Sequence, residues 1–116
     1  MTPEQRQRYA RQIRLEAIQE AGQERLLGAR VLIIGLGGLG SPAAMYLAAS
    51  GVGTLVLSDF DRVEPSNLQR QIIHHETDLG ELKAASAKRT LRKINPACEV
   101  VALDWQLDEA ELSDEI

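Results

Sequence analysis

A glycine-rich turn that follows directly on an apolar run constrains this chain more than any other feature. Residues 31–40 read VLIIGLGGLG, so that a strand-like run leads into Gly35, Gly37 and Gly40 at the spacing G-x-G-x-x-G. The Ser-Pro-Ala-rich stretch at 41–49 then predicts the start of a helix. Such glycines permit a tight turn, the close approach of an anion and close packing of helix on strand, while free N–H groups at the helix start face the ligand. We therefore predict a phosphate-binding loop, typical of nucleotide and dinucleotide sites alike.

Apolar runs alternate with turn residues along the rest of the chain and predict one β-α-β-α-β unit. The predicted strands are Arg30–Ile34, Thr54–Ser58 and Glu99–Leu103, and the predicted helices are Pro42–Ser50, Glu81–Ile94 and an acidic segment at Asp108–Ile116. Residues 3–27 predict one or two helices, interrupted between Arg14 and Ala17 and capped by Gly28, while residues 60–79 are predicted to be irregular.

Three apolar parallel strands bury little core and are typical of a larger sheet. We therefore predict an α/β fold, the Rossmann-like half of a doubly wound, mostly parallel sheet. Residues 1–28 form a helical extension in this interpretation, and residues 29–116 form the nucleotide-binding unit of a larger domain.

Composition narrows the function classes. The chain has 116 residues with a net charge of −4, which argues against a general nucleic-acid-binding protein. Its apolar runs are too short for a membrane span and its polar start lacks a signal peptide, so we expect a cytoplasmic protein with no membrane partner. The single cysteine, Cys98, cannot form an internal disulfide, and we expect it to be a small buried hydrophobe.

Several charged residues each allow more than one interpretation. Asp59 follows the second predicted strand, where an acid can hold a ribose hydroxyl, although Asp59 and Asp61 could simply form a turn. His74 and His75 have no metal-ligand neighbours at suitable spacing, so we predict surface histidines and no metal site. Basic side chains near the third strand are predicted to lie on solvated helix faces; they are Lys88, Arg89, Arg92 and Lys93.

The segment 63–71, VEPSNLQRQ, is not explained by a nicotinamide cofactor. Other motifs accompany it in order along almost the whole chain: RYARQI at 8–13, the strand and glycine loop at 31–40, SDFD at 58–61, GELK at 80–83 and INP at 94–96. With these motifs the chain resembles the ThiF/MoeB/HesA family, bacterial relatives of the ubiquitin-activating enzymes. SNLQRQ after a D-x-D is the most specific part of the resemblance.

The resemblance implies ATP-dependent adenylation of the C-terminal glycine of a ubiquitin-fold sulfur-carrier protein, with release of pyrophosphate, by a homodimer. It also implies a role for individual residues. Gly38 would contact the nucleotide, and Asp59 would contact the ribose. The ATP site would be lined by Ser66, Asn67, Leu68, Gln69 and Arg70. Lys83, which is predicted to lie two residues into its helix and to be surface-accessible, would contact the phosphates. Arg14 would be an arginine finger that reaches the ATP of the partner subunit. Fixed cations suit this chemistry, because attack on the α-phosphate spreads negative charge over its oxygens and the leaving group.

Members of the family continue for about as many residues again, and the features of that half are not found here. It carries an Asp that handles Mg²⁺ and cysteine pairs for zinc, so the magnesium ligand and any zinc site are expected outside this chain. We accordingly expect the 116-residue chain alone to be inactive. A nucleotide-binding module without catalysis, or an NAD(P)-binding half-domain, is the alternative interpretation.

Overall fold

The computed structural model describes residues 1–103 and confirms the three predicted strands. They are β1 (Arg30–Ile34), β2 (Thr54–Ser58) and β3 (Glu99–Leu103), which form one parallel sheet in the order β1-β2-β3. Ile34 pairs with Ser58 and Ser58 with Leu103, so all three strands end at one edge, called the carboxyl edge below. Ligands of open α/β sheets bind at this edge.

Five helices accompany the sheet in the described part of the chain: α1 (Pro3–Arg8), α2 (Ala10–Ile13), α3 (Gln19–Leu27), α4 (Gly40–Ser50) and α5 (Lys83–Ile94). Helices α4 and α5 make the two crossovers and pack against each other as well as on the sheet. The apolar face of α5 is formed by Ala84, Ala87 and Leu91, which are buried at helical spacing. Cys98 is buried in the same core, as predicted, and burial raises the pKa of its thiol.

Both crossover helices begin at a different residue from the predicted one. α4 starts at Gly40 rather than Pro42, because Ser41 N–H already donates to Gly37 O at 3.0 Å. α5 starts at Lys83 rather than Glu81, since Leu82 is extended and Lys83 N–H donates to Asp61 O at 2.9 Å. Lys83 is therefore the first residue of its helix. The irregular region 60–79 contains two short 3₁₀ turns, at Pro65–Asn67 and Glu76–Asp78.

The N-terminal extension breaks twice. The interruption predicted near residues 14–17 is confirmed between α2 and α3, but a second break occurs at Tyr9. The Tyr9 ring is buried, and its hydroxyl accepts a hydrogen bond from Asn95 Nδ2 at 2.8 Å. This long-range contact, which local sequence does not show, fixes the bend.

The extension packs at the edge opposite the carboxyl edge. Gln12 Nε2 and Gln23 Nε2 donate to Ser50 O at 2.9 and 3.0 Å, and Arg8 donates to Ile94 O at 3.3 Å. Ser50 and Ile94 are the last residues of α4 and α5. In a parallel β-α-β unit these helix ends return to the amino ends of the strands. The extension thus covers the amino edge of the sheet.

The acidic helix predicted at Asp108–Ile116 lies outside the described residues. No helix within residues 1–103 has both the length and the apolar character needed to cross a bilayer.

Candidate active site

The glycine loop, residues 35–39, leaves β1 at the carboxyl edge and enters α4. Gly35 has φ +87°, a conformation that side chains disfavour. At Gly40 an added Cβ would lie only 1.9 Å from Gly35 O, so the close approach of α4 to the strand end requires glycine there. Gly38 is exposed, and the atom closest to an added Cβ would be Arg70 Cδ at 4.0 Å. The outer half of the loop therefore offers its backbone to a ligand beside a cation.

Leu36 anchors the loop. It is fully buried, its N–H donates to Asp59 Oδ2 at 2.8 Å, and its carbonyl accepts from Ser41 Oγ at 2.7 Å. The other Asp59 oxygen accepts from Asp61 N–H at 2.8 Å. A carboxylate oxygen has two lone pairs, so Asp59 can still accept a ligand hydroxyl while it holds the loop. A cavity of about 190 Å³ opens beside Asp59 and Gly35.

A polar cavity of about 320 Å³ lies next to the loop and is lined by Asp61, Arg62, Glu64, Asn67, Arg70, Gln71 and Lys83. The 3₁₀ turn shapes one wall, because Asn67 Oδ1 accepts from Glu64 N–H at 2.9 Å and Asn67 O accepts from Arg70 N–H at 3.1 Å. Arg70 is exposed, and its guanidinium donates to Ser66 O at 3.2 Å. The guanidinium makes no ion pair with a carboxylate of the described chain and can turn toward an anion.

Lys83 differs from the sequence-based prediction of a surface-accessible charge, because it is only 7% exposed. Within residues 1–103 its ammonium makes no ion pair with a carboxylate. A cation at the first position of a helix also opposes the helix dipole. The local structure of Lys83 is therefore unfavourable without a nearby anion, and a phosphate in the adjoining cavity would supply one.

The carboxyl edge thus brings together five of the predicted site residues: Gly38, Asp59, Asn67, Arg70 and Lys83. Ser66, Leu68 and Gln69 belong to the same turn but do not line the polar cavity, and of the three Leu68 alone is half-buried. Arg14 is not part of this group. It is exposed at the end of α2, and its side chain makes no hydrogen bond or ion pair within the described residues.

The prediction of two surface histidines is wrong for His74. Its side chain is buried, with Nδ1 2.8 Å from Ser86 Oγ, whereas His75 is exposed. Burial lowers the pKa of His74, the backbone of Leu36 counteracts this, and the charge of Lys83 adds to the lowering. Gln71 is also buried, and neither Gln71 Oε1 nor His74 Nε2 has a hydrogen-bond partner among residues 1–103. Gln71 belongs to the SNLQRQ motif, but no local pattern marked His74.

Arg89 is exposed, as predicted for a solvated side chain, and it also makes ion pairs that the sequence did not indicate. Its guanidinium bonds Glu81 and, at 2.5 Å, Asp78 Oδ1. Burial tends to raise the pKa of Asp78, but hydrogen bonds from the His75 backbone, Arg89 and Ser86 outweigh it and lower the pKa to about 2. This ion pair fastens the second 3₁₀ turn to α5.

Residues 9–116 match the ThiF family. The chain belongs to this family. It is 47% identical over 114 residues to the molybdopterin-synthase adenylyltransferase of Haemophilus influenzae, covering 98% of this chain and 47% of that protein. It is 50% identical over 109 residues to the ThiS sulfur-carrier adenylyltransferase of Escherichia coli, covering 94% of this chain and 43% of that protein. The chain therefore spans less than half the length of these relatives.

A solved relative shows a nucleotide in the same fold. The structure of E. coli tRNA N6-threonylcarbamoyladenosine dehydratase, TcdA, in complex with ATP superposes with a TM-score of 0.87 at 32% identity, covering 97% of this chain and 46% of that chain. The likeness supports the Rossmann-like α/β assignment of this chain.

Proposed function

We propose that the protein, as part of the complete ThiF-family domain, adenylates the C-terminal glycine of a ubiquitin-fold sulfur-carrier protein. The carrier carboxylate would attack the α-phosphorus of ATP, forming the acyl adenylate, while the bond from the α-phosphorus to the bridging oxygen breaks and pyrophosphate leaves. The names of the two relatives with 47% and 50% identity support this acceptor class. One observation in the chain carries the proposal: Arg70 and Lys83, both without a carboxylate partner in the described part, line a cavity beside an exposed glycine loop.

The proposed roles follow from position and chemistry. The backbone around Gly38 receives a phosphate, and Asp59, which is tied to Leu36, accepts a ribose hydroxyl. Arg70 supplies a movable planar fork of donors, whereas the buried Lys83 supplies a fixed point charge. Charge on the phosphate oxygens grows during the attack, so these cations stabilise the transition state more than bound ATP. The turn formed by Ser66, Asn67, Leu68 and Gln69 holds the backbone of Arg70, whose N–H donates to Asn67 O, and leaves the guanidinium movable.

We propose further that Arg14 acts on the ATP of a partner subunit. Gln12, two residues before Arg14, bonds Ser50 O at the end of α4, whereas the glycine loop precedes the start of α4. The 11 residues of α4 separate these points by about 16 Å. The Arg14 side chain would have to span this separation to reach phosphates bound in its own subunit. The separation therefore favours a contact between Arg14 and the ATP of the partner subunit in a homodimer.

Three other features of the working enzyme are part of the proposal. Mg²⁺ would accompany ATP, but residues 1–103 contain no cluster of three metal-ligating side chains, and we assign no metal ligand here. Any zinc site would likewise be formed by residues outside this chain. The single buried cysteine and the absence of a membrane-crossing helix from the described part are compatible with the proposed cytoplasmic location.

The test is ATP–pyrophosphate exchange by the full-length gene product. We expect exchange that depends on a ubiquitin-fold carrier ending in glycine, and none with the same carrier lacking its final glycine. Isothermal titration with ATP and with NAD tests the alternative of a dinucleotide-binding unit. Binding of NAD without binding of ATP would refute the proposal.

A further inference from the structure

We propose that Gln71 is a further nucleotide-contacting residue, whose side-chain amide donates a hydrogen bond to an oxygen of the phosphate that the glycine loop receives. The inference deepens the proposed function and rests on it for the identity of this phosphate as part of ATP. The family resemblance implies roles for Ser66 to Arg70 but none for the last glutamine of the SNLQRQ motif.

The Gln71 side chain adjoins both the glycine loop and the polar cavity. Its Nε2 atom is 4.0 Å from the position that a Cβ on Gly37 would occupy, and the residue also lines the cavity. Backbone hydrogen bonds hold Gln71 there, because its N–H donates to Asn67 O at 2.8 Å and its carbonyl accepts from His74 N–H at 3.0 Å. The amide therefore has a fixed place beside the loop.

The amide of Gln71 is buried without a partner in the described part of the chain. The residue is 2% exposed, and its Oε1 atom has no hydrogen-bond partner within residues 1–103. Its Nε2 atom likewise makes no hydrogen bond to these residues. A buried amide in this state is destabilising, whereas an apolar side chain of the same length would not be. Packing alone does not account for glutamine at this position, and a polar ligand in the cavity does.

The loop beside the amide is suited to an anion. The backbone N–H groups of residues 37–39 make no hydrogen bond within the described chain, and such groups at the start of a helix bind phosphate. Phosphate oxygens accept hydrogen bonds, so the donor Nε2 is the atom of Gln71 that suits them. The acceptor Oε1 is left for the cations that line the same cavity, Arg70 and Lys83. A bound phosphate thus explains both ends of the amide.

The variants Gln71→Met and Gln71→Glu separate the roles of the two amide atoms. Methionine keeps the length of the side chain and removes both polar atoms. Glutamate keeps the acceptor, removes the donor and adds a negative charge. The matched control is Gln23→Met, at the amino edge. Gln23 is also a buried glutamine, but its amide donates to Ser50 O at 3.0 Å and accepts from Gln12 Nε2 at 2.9 Å.

The first measurement is urea unfolding of the full-length protein without nucleotide. We expect Gln71→Met to keep or raise the urea midpoint, because it removes a buried amide that has no partner. Gln23→Met should lower the midpoint, because its amide is hydrogen-bonded. A midpoint lowered as far in Gln71→Met as in Gln23→Met would show that the amide has a structural partner in the full-length protein, and this result would overturn the inference.

The second measurement is the Kd of ATP and of inorganic tripolyphosphate, by isothermal titration. We expect both Kd values to rise roughly tenfold in Gln71→Met, as loss of a hydrogen bond to a charged ligand would do, and to rise further in Gln71→Glu through charge repulsion. Gln23→Met should bind both ligands as the wild-type protein does. Tripolyphosphate has neither ribose nor base, so a loss of affinity for both ligands locates the contact at the phosphates.

Unchanged Kd values in the Gln71 variants overturn the inference. Wild-type affinity in Gln71→Glu also overturns it, because the amide would then act only as an acceptor, and this variant decides alone if Gln71→Met does not fold. If both Kd values rise as expected but the wild-type protein shows no ATP–pyrophosphate exchange, the phosphate contact stands and the proposed function fails.

Discussion

Replacing Lys83 by methionine should lower the adenylation rate without lowering the stability of the folded protein. Methionine keeps most of the buried apolar stem and removes only the ammonium. Lys83 is 7% exposed, begins α5 and has no ion pair within the described residues, so the folded protein without ligand loses no favourable charge contact. Removing a cation from a helix start relieves about 0.3–1 kcal/mol. We therefore expect the free energy of unfolding to stay the same or to rise by up to about 1 kcal/mol.

The adenylation rate should fall steeply in the same variant. Loss of one preorganised group that stabilises transition-state charge costs about 3–4 kcal/mol, which corresponds to roughly a hundredfold to a thousandfold in kcat. Arg70→Ala should lower the rate in the same direction with little effect on stability, because the exposed guanidinium bonds only Ser66 O within residues 1–103. Bound ATP is stabilised less than the transition state, so the loss should appear mainly in kcat.

Urea unfolding and ATP–pyrophosphate exchange per folded molecule measure the two effects. Lys88→Met is the matched control, because Lys88 lies on the same helix and does not line the polar cavity. It should leave both quantities unchanged. A Lys83→Met protein that loses more than about 1 kcal/mol of stability while keeping its exchange rate would show that Lys83 is a structural residue and that our reasoning is wrong.

Three further predictions concern other residues. If Arg14 acts in trans, mixing inactive Arg14→Ala and Lys83→Ala proteins, with exchange of subunits verified, should restore about a quarter of the wild-type ATP–pyrophosphate exchange activity. The reason is that half of the dimers then have one intact site of two. No recovery of activity would refute the action of Arg14 in trans. Gly40→Ala should destabilise the protein by at least about 1–3 kcal/mol in urea unfolding, because its Cβ would lie 1.9 Å from Gly35 O; wild-type stability in this variant would contradict so close an approach of α4 to the strand end. The lowered pKa of Asp78, about 2, contributes stability that is present above its unfolded value of 3.8 and lost as pH falls toward 2. The unfolding free energy of the wild-type protein should exceed that of Asp78→Asn by about 2 kcal/mol less at pH 2 than at about pH 5. A difference that does not change with pH would show that the pKa of Asp78 is not lowered by folding.

Local sequence was sufficient for the sheet and for the position of Asp59 beside the glycine loop. The strands β1, β2 and β3 were predicted with the observed bounds, because buried parallel strands are short apolar runs between turn residues. The position of Asp59 beside the glycine loop followed from topology alone, since parallel strands end at one edge. The family was identified from motifs in the sequence and is confirmed by the match over residues 9–116. The individual roles of Gly38, Arg70 and the other site residues stay predictions.

Burial and the course of irregular segments were decided by the tertiary structure. Local pattern placed His74 and Lys83 at the surface. In the structure His74 is buried with its Nδ1 beside Ser86 Oγ, and Lys83 lies against the turn after β2. The bend at Tyr9 depends on Asn95, 86 positions away. Periodicity reports which face of an element is apolar, whereas the exposure of a polar residue depends on which distant segments fold over it. The sequence alone therefore determined the sheet and the glycine loop and predicted a nucleotide site beside them. The tertiary structure determined which polar residues are buried and at which edge the extension that bears Arg14 is attached.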